Sequence, residues 1–204
     1  MNKFNSMEKY SDIQLMPHQW EAFNGDTFIQ ENFLKLKEEF HINTAIELGT
    51  CLGSTALWLS DHFWHVFTIE VNPTFAQIAK ERLEGCPNVM LIVGDSVTEF
   101  PMIDYDDDTI IFIDSHWYEV CPMQEELQII ANSGAKPVIA IHDFYVPDEP
   151  NLGYDSIHGQ RFDIEWIKPK LDAIYGEQGY YHYYNSDEQS TEIKRGIVYI
   201  TPKK

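Results

Sequence analysis

Five short and almost wholly apolar runs recur along this chain, at Thr44–Leu48, Val66–Ile69, Val89–Val93, Ile110–Ile113 and Val138–Ile141, each separated from the next by helix-length or loop segments. A strand that is apolar at nearly every position has no face to offer to water, so it must be covered on both sides. Parallel strands joined by crossover helices meet that demand, because each return path lays a helix against the sheet. The pattern predicts a doubly wound α/β fold. Two later runs, Tyr180–Tyr184 and Gly196–Thr201, have too few residues between them for a crossover helix and should pair antiparallel. The expected architecture is a mostly parallel seven-stranded sheet, helices on both faces, with an antiparallel final strand pair.

The helices are marked by periodicity and caps. Ile29, Phe33, Leu36 and Phe40 share one helical face and Asp26 stands ahead of them as an N-cap, which predicts a helix over 27–40. Asn72-Pro73 caps and starts a helix through Leu83. Further helices are expected over 122–131 and 162–175, with a loop at 144–161 before the last. A chain of 204 residues with 44% hydrophobic content can bury a sizeable core, and no Pro/Gly/Ser-rich linker divides it. One domain is expected over 1–204, with 1–41 as an N-terminal helical extension and 42–204 as a cofactor-binding core.

Charge and cysteine content narrow the partners. Lys and Arg total 14 against 33 Asp and Glu, a formal net charge of −19. Phosphate binding draws on a basic surface that this composition lacks, so nucleic acid is excluded as a partner and an anionic membrane surface is disfavoured. The three cysteines form no CxxC pair and leave one over, which suits a reducing compartment. No apolar run approaches the ~20 residues of a membrane span, and the N-terminus lacks a signal-type apolar region. A cytoplasmic protein is expected.

The ends of the apolar runs carry the chemistry. Glu47-Leu48-Gly49-Thr50-Cys51-Leu52-Gly53 closes the first run and opens a helical segment at Ser54, the form of a strand-to-helix turn. Gly49 supplies dihedrals that a Cβ would obstruct, and Gly53 lets the helix pack closely on the sheet. Cys51 stands where a dinucleotide fingerprint needs a second glycine for close approach of a pyrophosphate, and no Lys-Ser or Lys-Thr follows, so both GxGxxG and the P-loop are excluded. Glu70 ends the second run near the spacing, about 20 residues, at which a nucleotide-binding unit places an acid on ribose hydroxyls.

In this turn the sequence resembles the class I S-adenosylmethionine-dependent methyltransferases, whose first motif is an acid, one spacer, Gly, three residues and Gly. Glu47, Gly49 and Gly53 match it. The resemblance implies S-adenosyl-L-methionine as cofactor, bound around Glu47, Gly49, Thr50, Gly53 and Ser54, with Glu70 on the ribose, Asp95 and Ser96 at the adenine, and Asp114 bordering the site. Asp95 is equally readable as a helix N-cap.

Asp114-Ser115-His116 and His142-Asp143-Phe144 follow the fourth and fifth runs, and two carboxylates with histidines beside them offer oxygen and imidazole ligands to one ion. This pairing resembles the metal-dependent small-molecule O-methyltransferases, of the catechol type and its antibiotic-tailoring relatives. That resemblance implies Asp114, His142 and Asp143 as ligands of Mg²⁺ or another divalent cation, and His116 as a general base. Phe144 replaces the catechol group's asparagine and Tyr118 its lysine, so a catechol acceptor does not follow. Trp20, Trp117, Tyr118, Phe144 and Tyr145 are read either as an aromatic acceptor pocket or as ordinary core. The expected function is methyl transfer to a small molecule, to an oxygen, at a centre formed by His116, Asp114, His142 and Asp143. The alternatives are a metal-assisted tailoring enzyme without methyl transfer on the same fold and a non-catalytic cofactor-binding protein. The partner is a small-molecule acceptor, and assembly as a homo-oligomer stays open.

Overall fold

A computed structural model describes His18 and residues 21–117, 119–191 and 193–204. Chain order runs α1 (Thr27–Phe40), β1 (Thr44–Leu48), α2 (Ser54–His62), β2 (His65–Glu70), α3 (Pro73–Arg82), β3 (Val89–Val93), α4 (Ser96–Glu99), β4 (Thr109–Ile113), α5 (Met123–Ser133), β5 (Val138–His142), β6 (Ser156–Ile157), β7 (Gln160–Arg161), α6 (Ile164–Tyr175), β8 (Tyr180–Tyr184) and β9 (Ile197–Pro202). Seven strands form one sheet in the order β3-β2-β1-β4-β5-β9-β8. The first five are mutually parallel, and β9 runs antiparallel between β5 and β8.

Side chains alternate between two cores, as the strand repeat requires. Ile46, Leu48, Ile111, Ile113, Ile139 and Ile141 face α5 and α6, where Leu127, Ile130, Ile167 and Leu171 are buried against them. Ala45, Val66, Ile110, Phe112 and Ala140 point the other way, into a cluster with Ile29, Phe33 and Leu36 of α1 and Leu59 of α2. Helix α1, expected as an extension, is thus a layer of the core: Phe33 is fully buried and meets Phe112 edge-on, with ring centroids 5.8 Å apart. Asp26 caps it as its position predicts, accepting from the Phe28 amide at 2.9 Å.

The segment after β5 is more structured than its prolines and glycines suggested. Strands β6 and β7 form a two-residue hairpin through His158 and Gly159, both at positive φ (49° and 81°), the backbone that a tight primed turn demands.

Candidate functional site

The sheet order reverses direction between β1 and β4, and ligands of open α/β sheets gather outside the carboxyl ends of the strands at that point. The glycine turn lies there. Gly49 has φ +102°, and a Cβ on it would stand 2.3 Å from the Asp114 carbonyl oxygen, so only glycine lets the turn lie against the end of β4. Cys51 and Gly53 also take positive φ. Gly53 packs against Ala79 of α3, a helix neighbour, where the sequence suggested the sheet.

Four amides of this turn, at Gly49, Thr50, Cys51 and Gly53, are committed to the protein. Gly49 and Thr50 both donate to the Ile69 carbonyl, each at 3.1 Å, and Gly53 donates to Thr50. Cys51 donates to the Glu70 carboxylate at 2.7 Å. The one turn amide that meets an acid thus meets the protein's own side chain. Glu70 also accepts from the Asn72 amide at 2.8 Å, and burial pushes its pKa up to about 7 despite these hydrogen bonds.

Beneath the turn, Glu47 is buried at 1% exposure and accepts from Thr68, whose hydroxyl also meets that of Thr50. Burial, reinforced by Asp114 and Glu70, carries the Glu47 carboxyl well above the ordinary range. Its contact is with the support of the turn. Ser54 accepts from Arg82, and Asp95 caps α4 through the Val97 amide at 3.0 Å.

The second centre forms at the ends of β4 and β5. Asp114, His142 and Asp143 each turn one ligand atom inward, the three lying within 4.8 Å of one another. His142 is 3% exposed, and its Nδ1 stands 3.5 Å from both Asp114 Oδ1 and Asp143 Oδ1 without a hydrogen bond to either. A buried imidazole nitrogen that faces two carboxylates at 3.5 Å, without hydrogen-bond geometry to either, suits an oxygen- and nitrogen-binding cation. The residues present therefore fit a divalent ion.

Asp143, at φ 57°, has a second set of partners. His116 Nε2 sits 3.0 Å from Asp143 Oδ2 and 3.2 Å from Asp155 Oδ2. Arg195 closes the figure, pairing Nε with Asp143 Oδ1 and Nη2 with Asp155 Oδ1. Burial works against charge on His116, yet its hydrogen bonds to Asp143 and Asp155 outweigh it and raise its pKa to about 10. Between these two carboxylates the imidazole favours its protonated form. Burial alone would raise Asp143, but His142 and His116 hold it well below the usual carboxylate range.

No protein-family model and no curated protein matches the chain by sequence. Solved structures do match. A candidate caffeoyl-CoA O-methyltransferase from Staphylococcus aureus superposes with a TM-score of 0.60 at 16% identity, over 100% of this chain and 93% of its own. A candidate O-methyltransferase from Klebsiella pneumoniae gives 0.60 at 14% identity, over 98% and 87%. Precorrin-6y C5,15-methyltransferase from Geobacter metallireducens gives 0.55 at 13%, over 85% and 88%. The chain has the class I methyltransferase fold. At such identities the likeness is one of fold, so chemistry has to be argued from residues.

Within this methyltransferase fold the residues singled out from sequence fall into two groups. Gly49, Thr50, Gly53, Ser54, Glu70, Asp95 and Ser96 lie on or beside the ends of β1, β2 and β3, and Asp114, His116, His142 and Asp143 gather at β4 and β5. Of the aromatic residues, Phe144 is core, fully buried and stacked on Tyr184. Tyr145 lies under the Arg161 guanidinium and edge-on to Tyr154. Trp117 is 36% exposed and edge-on to Phe75, whereas Trp20 and Tyr118 lie outside the described residues.

Three residues were missed. Asp155 and Arg195 complete the ring around Asp143, and Glu126 of α5, wholly buried, accepts from Ser96 at 2.5 Å and from Ser115 at 2.8 Å. Arg195 reaches the site because Gly196 presses on the Phe144 carbonyl, where a Cβ would stand 2.0 Å from the oxygen. Among the described residues, no helix is long and apolar enough to cross a membrane.

Proposed function

We propose that the protein is an S-adenosyl-L-methionine-dependent methyltransferase of small molecules, acting on an oxygen with the help of a divalent cation. The observation that carries the reading is the closed glycine turn. Gly49, Thr50, Cys51 and Gly53 commit their amides to Ile69, Thr50 and Glu70, the groups beside the turn are Glu70 and Asp114, and Asp95 follows β3 on the same sheet edge. Such an edge offers little to a phosphate, and its acids favour a cationic sulfonium.

Glu70 would take the ribose hydroxyls on the carboxylate lone pairs left after its two amide bonds. Asp95 and Ser96 would meet the adenine edge, and the Gly49 turn would face the methionyl part. The cofactor supplies a methyl group already activated on sulfur, so the chain's task is alignment and removal of a proton. Asp114, His142 and Asp143 would hold the cation, which when bound lowers the pKa of an acceptor hydroxyl. His116, fixed between two acids, orients the acid cluster at this edge. A cytoplasmic setting agrees with three cysteines that stay free thiols.

Calorimetric titration tests the cofactor. S-adenosylhomocysteine should bind, and Glu70→Ala should weaken it strongly. Asp143→Ala should abolish turnover of an identified acceptor while leaving that affinity nearly unchanged, and EDTA should reproduce the loss reversibly with Mg²⁺ or Mn²⁺. Tight NAD binding without a response to S-adenosylhomocysteine would overturn the assignment.

A further inference from the structure

Asp143 Oδ1 has two claims on it. It is one of the two carboxylate oxygens 3.5 Å from the buried His142 Nδ1, and it is also the oxygen that receives Arg195 Nε. An ion seated among Asp114, His142 and Asp143 would therefore meet a guanidinium already in contact with one of its ligand atoms. The backbone keeps that guanidinium in place. Gly196 donates to Gly153, Phe144 donates to Gly196, and Asp155 donates to the Asp143 carbonyl, so the segments bearing Asp143, Asp155 and Arg195 are tied to one another.

We propose that Arg195 is the resident counter-ion of this acid cluster and sets its affinity for a divalent cation by competing for Asp143. The inference rests on the reading of Asp114, His142 and Asp143 as a cation site. Asp155 gives the guanidinium an anchor it keeps when Nε leaves Asp143, through Nη2. A half-buried fixed charge acts at short range and in a lower dielectric than water, so its removal is felt strongly by a doubly charged ion.

The experiment is a Mn²⁺ titration of the full chain, followed by the paramagnetic resonance signal of free Mn²⁺. Arg195→Gln should bind Mn²⁺ tighter than the parent by roughly tenfold or more. Arg161→Gln should match the parent, because that guanidinium lies over Tyr145 and pairs with Asp163. Adding Asp143→Asn to Arg195→Gln should erase the gain. Should the glutamine variant fail to fold, Arg195→Met, similar in bulk and uncharged, must show the same gain. An affinity for Mn²⁺ equal to or weaker than the parent's in a folded Arg195 variant overturns the proposal, as does an equal gain in Arg161→Gln or no Mn²⁺ binding in any of them. S-adenosylhomocysteine titrated into the same samples separates the failures. Its failure to bind counts against the methyltransferase reading, while the Mn²⁺ comparison still judges Arg195.

Discussion

Asp143 and Asp155 are joined twice, by Arg195 through one oxygen of each carboxylate and by His116 through the other. The ring ties four separate stretches of chain: the ends of β4 and β5, the β6–β7 segment and the residue before Gly196. Charge-assisted bonds of this kind are about twice as strong as neutral ones, and they hold here a segment with little core of its own.

Removing one member should loosen that segment before it unfolds the domain. Asp155→Asn keeps the shape and drops the charge, and trypsin should then cut after Arg161 several-fold faster, with the far-ultraviolet circular dichroism unchanged. Cleavage at the parent rate would show that the ring does not restrain β6 and β7.

Thr68 links Glu47 to Thr50 beneath the glycine turn. Thr68→Val preserves volume and leaves the buried acid without its donor, which should lower stability by about 1–3 kcal/mol. Because Thr50 also loses its support, S-adenosylhomocysteine affinity should fall in the same variant. Denaturant melts and calorimetry read the two effects separately.

Glu126 has its pKa raised by burial to about 7, against the serine hydrogen bonds that lower it. The unfolded chain holds this group near 4.5, so the folded state binds the extra proton between the two values. Stability from this group is full below about 4.5 and is lost as pH rises to about 7, a change of about 3 kcal/mol. Glu126→Gln can still accept from one serine and donate to the other. It should flatten that dependence and be more stable than the parent at pH 8, as measured by urea melts across the range.

With a formal net charge of −19, generic duplex DNA and RNA should show no gel shift at physiological salt. A sub-micromolar complex would mean that the acceptor is not a small molecule.

Much of the fold was legible in the short apolar and aromatic runs, and β1, β3 and β8 fall where those runs predicted. Of the three only β1 is covered on both faces, because β3 and β8 are the edges of the sheet and leave Met90, Val93 and Tyr181 exposed. The ring around Asp143 was not legible. Asp155 and Arg195 come from loops whose spacing carries no repeat, and backbone bonds of Asp155 to Asp143, Phe144 to Gly196 and Gly196 to Gly153 bring them in. Glu126 did leave a trace. Met123, Glu126, Leu127 and Ile130 are the buried positions of α5, so the acid occupies a place on the apolar stripe. A carboxylate at such a position signals a buried partner, and the sequence does not say which one.

The engaged amides of the glycine turn bear on what this protein must ignore. Cells hold adenine nucleotides in abundance, and their strongest handle is the phosphate chain. A turn whose amides already grip Ile69, Thr50 and the Glu70 carboxylate gives that handle little purchase, and the neighbouring acids repel it. On the proposed reading, discrimination against ATP and NAD would be written into the resting backbone, ahead of any competition between ligands.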